Sequence, residues 1–317
     1  MRVLVVHSGN HAHVAPFIAE QAEALREAGC EVRMFSVEGH GIRGYLRCLP
    51  MLKKAIADFH PDIVHAHYGL CGLLCTLQHQ VPVVVTYHGS DINDRHALPF
   101  SVLAARRAKF NILVSRRQRD RLARFVKLRY DRTTVLPCGI NLDDFIPIPQ
   151  GEAQEKLGLR SNVRYVLFAG AFDVAVKNAP LAQEVCRCIE NVQLLELKGY
   201  NRSEVPLLMS AADCLLMTSH SEGSPQVIKE ALACGLPIVS VDVGDVAELT
   251  AGVEGCYVAD DRTVDTLAGL LNQALASGKR TAGRTRIVQL GLDNTQVAEK
   301  LIAIYQQVVM NKGDKRR

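Results

Sequence analysis

The chain has 317 residues, room for two domains of ordinary size, with 48% apolar and 22% charged residues. That balance describes a globular protein, and no run of 18 clean apolar residues offers a transmembrane helix. The net charge of +4 is modest and aromatic residues make up only 5%, so a nucleic-acid surface of basic and stacking residues is not expected.

The chain opens directly into a strand, Met1-Arg2-Val3-Leu4-Val5-Val6-His7, too short for a signal peptide and without a small-residue cleavage site. Ten cysteines sit mostly in apolar segments without paired metal-type spacing, so they read as small core residues in a reducing cytoplasm. Short β-rich runs at 3–6, 31–35, 63–65, 83–86, 111–114 and 134–136 alternate with helical patterns at 16–28, 44–58, 70–78, 101–109 and 116–127. That alternation marks parallel α/β architecture. Residues 106–132 carry eleven Arg and Lys, from Arg106 to Arg132, against Asp120 and Asp131. They form either a solvated helix face or a surface attracted to an anionic membrane or a phosphate-bearing acceptor.

In Ile146-Pro147-Ile148-Pro149-Gln150-Gly151 two prolines remove backbone donors, which places a linker there. Strand patterns restart at 164–169, 193–197, 214–217, 238–240 and 256–258, and helical runs at 264–276, 283–290 and 296–309 finish the chain. The last has an apolar stripe at Val297, Leu301, Ile304 and Val308 that must bury one face. The expected domains are 1–145, with the helix at about 296–311 added, and 146–295. A frayed tail is expected from 312 to 317. Neither half follows its first strand with Gly-x-Gly-x-x-Gly, and no Gly-x-x-x-x-Gly-Lys-Ser/Thr occurs, which argues against a dinucleotide site and a P-loop. Ligands of open parallel sheets sit at the carboxyl ends of the strands, so two such sheets facing each other would bind in the cleft between them.

The most informative stretch is Ser221-Glu222-Gly223-Ser224-Pro225-Gln226-Val227-Ile228-Lys229-Glu230. Gly223 permits close backbone approach, Ser224 suits an N-cap and Pro225 suits a first helical position. The helix that follows, about 225–234, would aim free N–H groups and a positive dipole end at an anion such as a diphosphate. Glu222 lies in the loop beside that site. Glu230, a turn and a half into the helix, can accept hydrogen bonds from a diol such as a ribose.

Short apolar strands flank this stretch, Asp213-Cys214-Leu215-Leu216-Met217 before it and Gly235-Leu236-Pro237-Ile238-Val239-Ser240 after it. From 213 to 248 the chain resembles the donor-binding half of the retaining glycosyltransferases of family 4. Members carry Glu-Gly-x-Pro, a second Glu eight residues after the first, and a helix ending in a Gly-x-Pro turn. The resemblance implies two Rossmann-like domains facing across a cleft, the GT-B arrangement, with the C-terminal helix crossing back to the N-terminal domain. It also implies that no metal and no other cofactor is needed.

Other segments fit that frame. Tyr87-His88-Gly89-Ser90-Asp91 follows a strand where a cleft would open, and a histidine there can donate to a sugar hydroxyl. Family members often have His-Gly-x-Asp at this point, which implies a sugar contact for His88 and places Asp91 on the acceptor side. Lys177, after the strand ending near Gly170, can offset diphosphate charge as a leaving group forms. The family's usual Arg near this strand is missing, replaced by Ala171-Phe172-Asp173. Gly9, in the first turn Ser8-Gly9-Asn10-His11-Ala12-His13, is expected to bring backbone N–H groups near the donor phosphate, with Asn10 on the acceptor side. His11 and His13 lack a third ligand nearby, so no metal is expected. Leu136-Pro137-Cys138-Gly139-Ile140-Asn141 resembles the family's Pro-Asn-Gly-Val-Asp segment, with Cys138 in place of Asn. His65-Ala66-His67-Tyr68-Gly69 resembles a segment lining the acceptor side, which adds His67 and Tyr68, and reads equally as a structural turn.

The resemblance therefore implies a retaining, hexosyltransferase-like enzyme that moves a sugar from a nucleotide-sugar to a glycan or lipid-linked acceptor in cell-surface polysaccharide biosynthesis. Glu222, His88 and Lys177 are its expected catalytic groups. Glu230, Gly223, Ser224, Pro225, Gln226, Val227, Gly9 and Gly170 are its expected donor contacts. It would be cytoplasmic or peripheral at the inner membrane face, with the basic stretch on anionic lipid and no nucleic acid as partner. The rival readings are a nucleotide-sugar epimerase or phosphorylase of the same shape, and a non-catalytic nucleotide-sugar sensor.

Overall fold

The computed structural model describes residues 1–10 and 14–313; His11, His13 and the end of the expected frayed tail lie outside them. The chain divides into two compact units, Met1–Gly139 with Asn294–Arg317, and Ile140–Asp293. Both boundaries differ by a few residues from those expected at 145/146 and 295/296. Ile140 donates its amide to the Leu292 carbonyl at 2.9 Å, and Arg284 donates to the carbonyls of Leu142 (3.0 Å) and Phe145 (2.8 Å). Residues 140–145 are thereby tied to the second unit.

The first unit holds β1 (Arg2–Ser8), α1 (Pro16–Glu27), β2 (Glu31–Val37), α2 (Gly41–Arg47), α3 (Leu49–Phe59), β3 (Ile63–His67), α4 (Gly69–Cys75) and β4 (Val83–Tyr87). It continues with α5 (Ser90–Asn93), α6 (Leu98–Arg107), β5 (Phe110–Leu113), α7 (Arg116–Ala123) and β6 (Thr133–Val135). Its strands form one parallel sheet in the order β2-β1-β3-β4-β5-β6. β3, β4 and β5 are buried along their whole length, as expected for strands covered by helices on both faces. The single helix expected over 44–58 is two, because Pro50 at the start of α3 cannot continue α2.

The second unit holds α8 (Gln150–Lys156), β7 (Arg164–Phe168), α9 (Ala179–Arg187), β8 (Val192–Glu196), α10 (Val205–Ala211), β9 (Cys214–Met217), α11 (Gln226–Ala233), β10 (Ile238–Val241), α12 (Val246–Thr250), β11 (Cys256–Ala259), α13 (Val264–Ser277) and α14 (Gly283–Leu290). Its parallel sheet runs β11-β10-β9-β7-β8. The expected linker is partly helical: Pro149 stands at the N-cap position of α8, and the Gln150 side chain donates to Ala211 O (3.2 Å) and Asp213 Oδ1 (2.9 Å).

The chain ends in α15 (Asn294–Gly313), which packs against α1 in the first unit. Val297, Leu301 and Val308 of the expected stripe are buried, joined by Tyr305, whereas Ile304 is half-buried.

In each sheet strand order reverses beside the first strand, between β1 and β3 in one and between β7 and β9 in the other. Loops leaving the carboxyl ends of neighbouring strands there diverge to opposite faces and leave a crevice, the usual ligand position in open α/β sheets.

Candidate active site

In the second unit the crevice between β7 and β9 gathers the residues expected to hold a donor. Lys177 Nζ lies 2.7 Å from Glu222 Oε1, with only 23% and 14% of the two side chains exposed. The two are 45 positions apart and are brought together by the backbone. The Thr218 hydroxyl shares its hydrogen between the carbonyls of Lys177 (3.0 Å) and Asn178 (2.9 Å), and the His220 amide donates to Val176 O at 2.8 Å. Gly170 lets the lysine cross, since a Cβ there would stand 2.9 Å from Lys177 Cγ.

Gly223 is buried, and a Cβ on Gly244 (φ +58°) would meet its carbonyl oxygen at 2.7 Å, so two backbones touch directly under the Glu222 loop. One expectation changes at the helix start. Pro225, not Ser224, occupies the N-cap position of α11, because φ −69° with ψ 120° leaves it extended just outside the helix. No side chain caps the first turn of α11, at Gln226 and Val227, so its dipole end keeps its anion affinity. Ser224 Oγ is buried without a hydrogen bond of good geometry, beside Asp245, whose two carboxylate oxygens are in the same condition. Burial pushes Asp245 up to about 6, against the pull of the Lys229 ammonium and the Ser224 hydroxyl.

Glu230 is 5% exposed and already holds a cation: Arg202 donates to its Oε1. The Arg202 guanidinium also lies over the Phe145 ring, 4.7 Å from its centroid. Arg202 begins a short 3-10 turn, Arg202–Glu204, closed by a reciprocal capping box between Asn201 and Glu204.

In the first unit the loops after β3 and β4 meet around His88. Its Nε2 is 2.9 Å from His67 Nδ1, and its Nδ1 is 3.7 Å from Cys138 Sγ. Phe17 and Tyr68 flank the ring at centroid distances of 4.9 and 4.7 Å. His67 is 1% exposed, and burial, with His65, His88 and His7 nearby, holds it well below the usual histidine range. A neutral His67 must therefore share one proton with His88 across their contact.

Asp91, expected on the acceptor side, is 5% exposed and committed to the backbone. Its Oδ1 accepts from the amides of His88 (3.0 Å) and Gly89 (2.9 Å), and its Oδ2 from Gly69 (2.9 Å). Burial outweighs these three amides and raises it to about 6. It is a brace that joins two loops, including Gly89 at φ +124°. Tyr68 adopts φ +71°, a costly conformation for a bulky residue, with its amide donating to Thr86 O at 2.9 Å.

The first turn departs from expectation. The Gly9 amide donates to Val37 O at 2.8 Å and is not available to a phosphate; a Cβ at Gly9 would stand 2.9 Å from Ser36 Cβ. Asn10 exchanges two 2.8 Å bonds with the backbone of Gly39, so it pins this turn to the loop after β2.

Comparison with known proteins decides the family. The model of Glycosyltransferase Family 4 matches residues 14–144, and that of Glycosyl transferases group 1 matches residues 158–277. The chain belongs to the family 4 glycosyltransferases.

A Bacillus subtilis (strain 168) protein named as a teichuronic acid biosynthesis glycosyltransferase, TuaC, is 28% identical over 228 residues. That match covers 61% of this chain and 56% of the relative, so only about half of that protein's length is spanned. An Escherichia coli UDP-Gal:alpha-D-GlcNAc-diphosphoundecaprenol alpha-1,3-galactosyltransferase is 25% identical, covering 84% of this chain and 81% of its own. Among solved structures, a sucrose-phosphate synthase from Thermosynechococcus elongatus superposes with a TM-score of 0.85 at 20% identity, covering 98% of this chain and 100% of that one. This last likeness shows the fold.

Within this family 4 chain, the residue that sequence reasoning missed is Arg202. No motif announces it, and only its place in the loop after β8, within reach of Glu230 on α11, could have drawn attention to it. The ten cysteines are free thiols, eight of them buried. Among the described residues no group of His, Cys, Asp and Glu has the geometry of a metal site, and no helix is long and apolar enough to cross a membrane.

Proposed function

We propose that this family 4 glycosyltransferase is a retaining enzyme, transferring a hexose from a nucleoside diphosphate sugar to a glycan or lipid-linked acceptor in polysaccharide biosynthesis. The observation that carries the reading is the Lys177–Glu222 pair, set beside the uncapped start of α11 with Glu230 a turn and a half further along the same helix. The spacing suits one ligand: diphosphate at the helix start, ribose diol at Glu230, sugar beside Glu222.

When the bond between the anomeric carbon and the phosphate oxygen breaks, negative charge grows on the departing diphosphate. Lys177 and the α11 dipole stabilise that charge more than the ground state, which is what accelerates the step. The acceptor hydroxyl would attack on the face the diphosphate leaves, its proton passing to a phosphate oxygen. Glu222 then has two tasks, fixing the Lys177 ammonium and holding a sugar hydroxyl. The name of the Escherichia coli relative, with a UDP-sugar donor and a lipid-linked acceptor, supports this choice of donor and acceptor class, and that of the Bacillus subtilis relative supports polysaccharide biosynthesis.

The test is thermal unfolding of wild type and Glu230→Gln with UDP, GDP, ADP and CMP, followed by NMR of the anomeric product with the nucleotide that binds. A rise with one diphosphate, lost in the variant, with a product of unchanged anomeric configuration is expected. An inverted product would remove the retaining mechanism; no response to any nucleotide would remove the donor site. An anionic membrane surface is a proposed partner of residues 106–132, where Arg116, Arg117, Arg124 and Lys127 are exposed. Unchanged sedimentation with phosphatidylglycerol vesicles after Arg124→Glu and Lys127→Glu would exclude that surface.

A further inference from the structure

A cavity of about 450 Å³ opens in the first unit at the amino ends of β4, β5 and β6. That is the opposite end of the sheet from His88, which follows the carboxyl end of β4, roughly 15 Å away by the length of a five-residue strand. Its size falls in the range of small-molecule sites, about 300–1,000 Å³. The walls are well determined by polar bonds. Gln78 accepts from the amides of Gln80 and Val81 (both 3.0 Å) and donates to Val81 O (2.8 Å), which fixes one side. On the other, Gln307 of α15 donates to Asp131 O at 3.2 Å.

The lining has two halves of different chemistry. Val81, Pro82, Val83, Phe110 and Val308 supply an apolar wall. Arg107, Lys109 and Arg132 supply cations, collected from the end of α6, its connection to β5 and the turn before β6. Asp131 is the single lining carboxylate, and it is already engaged by Arg129, at 2.9 and 3.1 Å, and more distantly by Arg132 at 3.7 Å. Neither Arg107 nor Lys109 has a carboxylate within ion-pair distance among the described residues. Cations gathered against an apolar wall without compensating acids lower the energy of an anion whose body can cover that wall.

We propose that this cavity is a second ligand site, distinct from the donor crevice, for a phosphomonoester carried on an apolar body. Arg107 and Lys109 hold the phosphate, and Phe110, Val81 and Val308 receive the chain. The same chemistry is presented by a free organic phosphate and by a lipid with a phosphate head. Because Val308 and Gln307 belong to α15, the occupant would also buttress the helix that enters this unit directly from the second one at Asn294.

Isothermal titration of the full chain with hexyl phosphate, dihexanoyl phosphatidic acid and inorganic phosphate tests this. Hexyl phosphate or the short lipid should bind more tightly than inorganic phosphate, and whichever is tighter identifies the source. Arg107→Gln with Lys109→Gln should weaken that binding about tenfold or more, the cost of losing charge-assisted hydrogen bonds. Arg47→Gln with Lys53→Gln, which removes the same charge from exposed positions of the same unit outside both the cavity and residues 106–132, should leave it unchanged. The proposal is overturned if neither amphiphile binds, if inorganic phosphate binds as tightly as both, or if the two double variants lose equal affinity.

Discussion

Glu230 is held in α11 by a cation that no motif announces. A carboxylate so deeply buried needs partners, and Arg202 supplies a charged one. Removing the arginine alone takes a cation from a buried acid, so Arg202→Ala should cost roughly 2 kcal/mol, less than for a fully buried pair because a third of the arginine is exposed. Arg202→Ala with Glu230→Gln should recover part of that loss, a non-additivity that urea unfolding of the two single variants and the double variant would resolve. Strictly additive losses would mean that the pair contributes nothing as a pair. A different outcome is expected at Glu222. Glu222→Gln keeps the shape but loosens Lys177, so kcat should fall far more than nucleotide affinity. Equal losses in the two would assign Glu222 to ground-state binding instead.

At the scale of elements, what was legible and what was not follow from range of interaction. β1, β4 and β9 announce themselves as continuous apolar runs, because a strand buried on both faces leaves no alternation to confuse the reading. Glu222-Gly223-Ser224-Pro225 announced α11, since helix starts are written in local chemistry. The cap slipped by one residue because Pro225 keeps an extended ψ of 120° and so stands just outside the helix. Gly9 misled for a different reason: a glycine after a first strand suits a phosphate and an adjacent strand equally, and the choice lies in the Val37 carbonyl. The stripe on α15 likewise said that the helix packs, while its polar anchor lay 240 positions away. Tyr305 Oη is 2.6 Å from His65 Nδ1, and His65 Nε2 is 2.8 Å from Thr86 Oγ1. Burial holds the Tyr305 hydroxyl in its protonated form and pushes His65 down to about 3, so the phenol donates and Nδ1 accepts. Tyr305→Phe should therefore strand a buried acceptor and cost about 1–3 kcal/mol in denaturant unfolding. A loss near zero would show that α15 is anchored by its apolar stripe alone.

Over the whole molecule the buried titratable groups are divided unevenly between the two units, and that division sets opposite responses to acid. His65 and His67, both depressed by burial, belong to the first unit together with Asp91, which is raised to about 6. Asp245, also raised to about 6, belongs to the second. A depressed histidine binds a proton in the unfolded chain near pH 6.5 but not in the fold, so its contribution is present above pH 6.5 and is lost as the pH falls. A raised aspartate keeps its proton in the fold up to about pH 6, whereas the unfolded chain has released it near 3.8. Its contribution is present below 3.8 and is lost as the pH rises through 6. Each such group changes stability by about 1.4 kcal/mol per pH unit inside its window. Between pH 4 and 6 the two histidines outweigh Asp91, so these groups make the first unit lose stability on acidification, while Asp245 makes the second gain it. Calorimetry from pH 7 to pH 4.5 should then show two transitions shifting relative to each other, the one belonging to Met1–Gly139 with α15 moving down relative to the other. Asp245→Asn should abolish the relative upward drift of the second transition and leave the first unmoved. If both transitions fall in parallel in wild type and variant alike, burial of these four groups does not govern the pH response, and the surface carboxylates do.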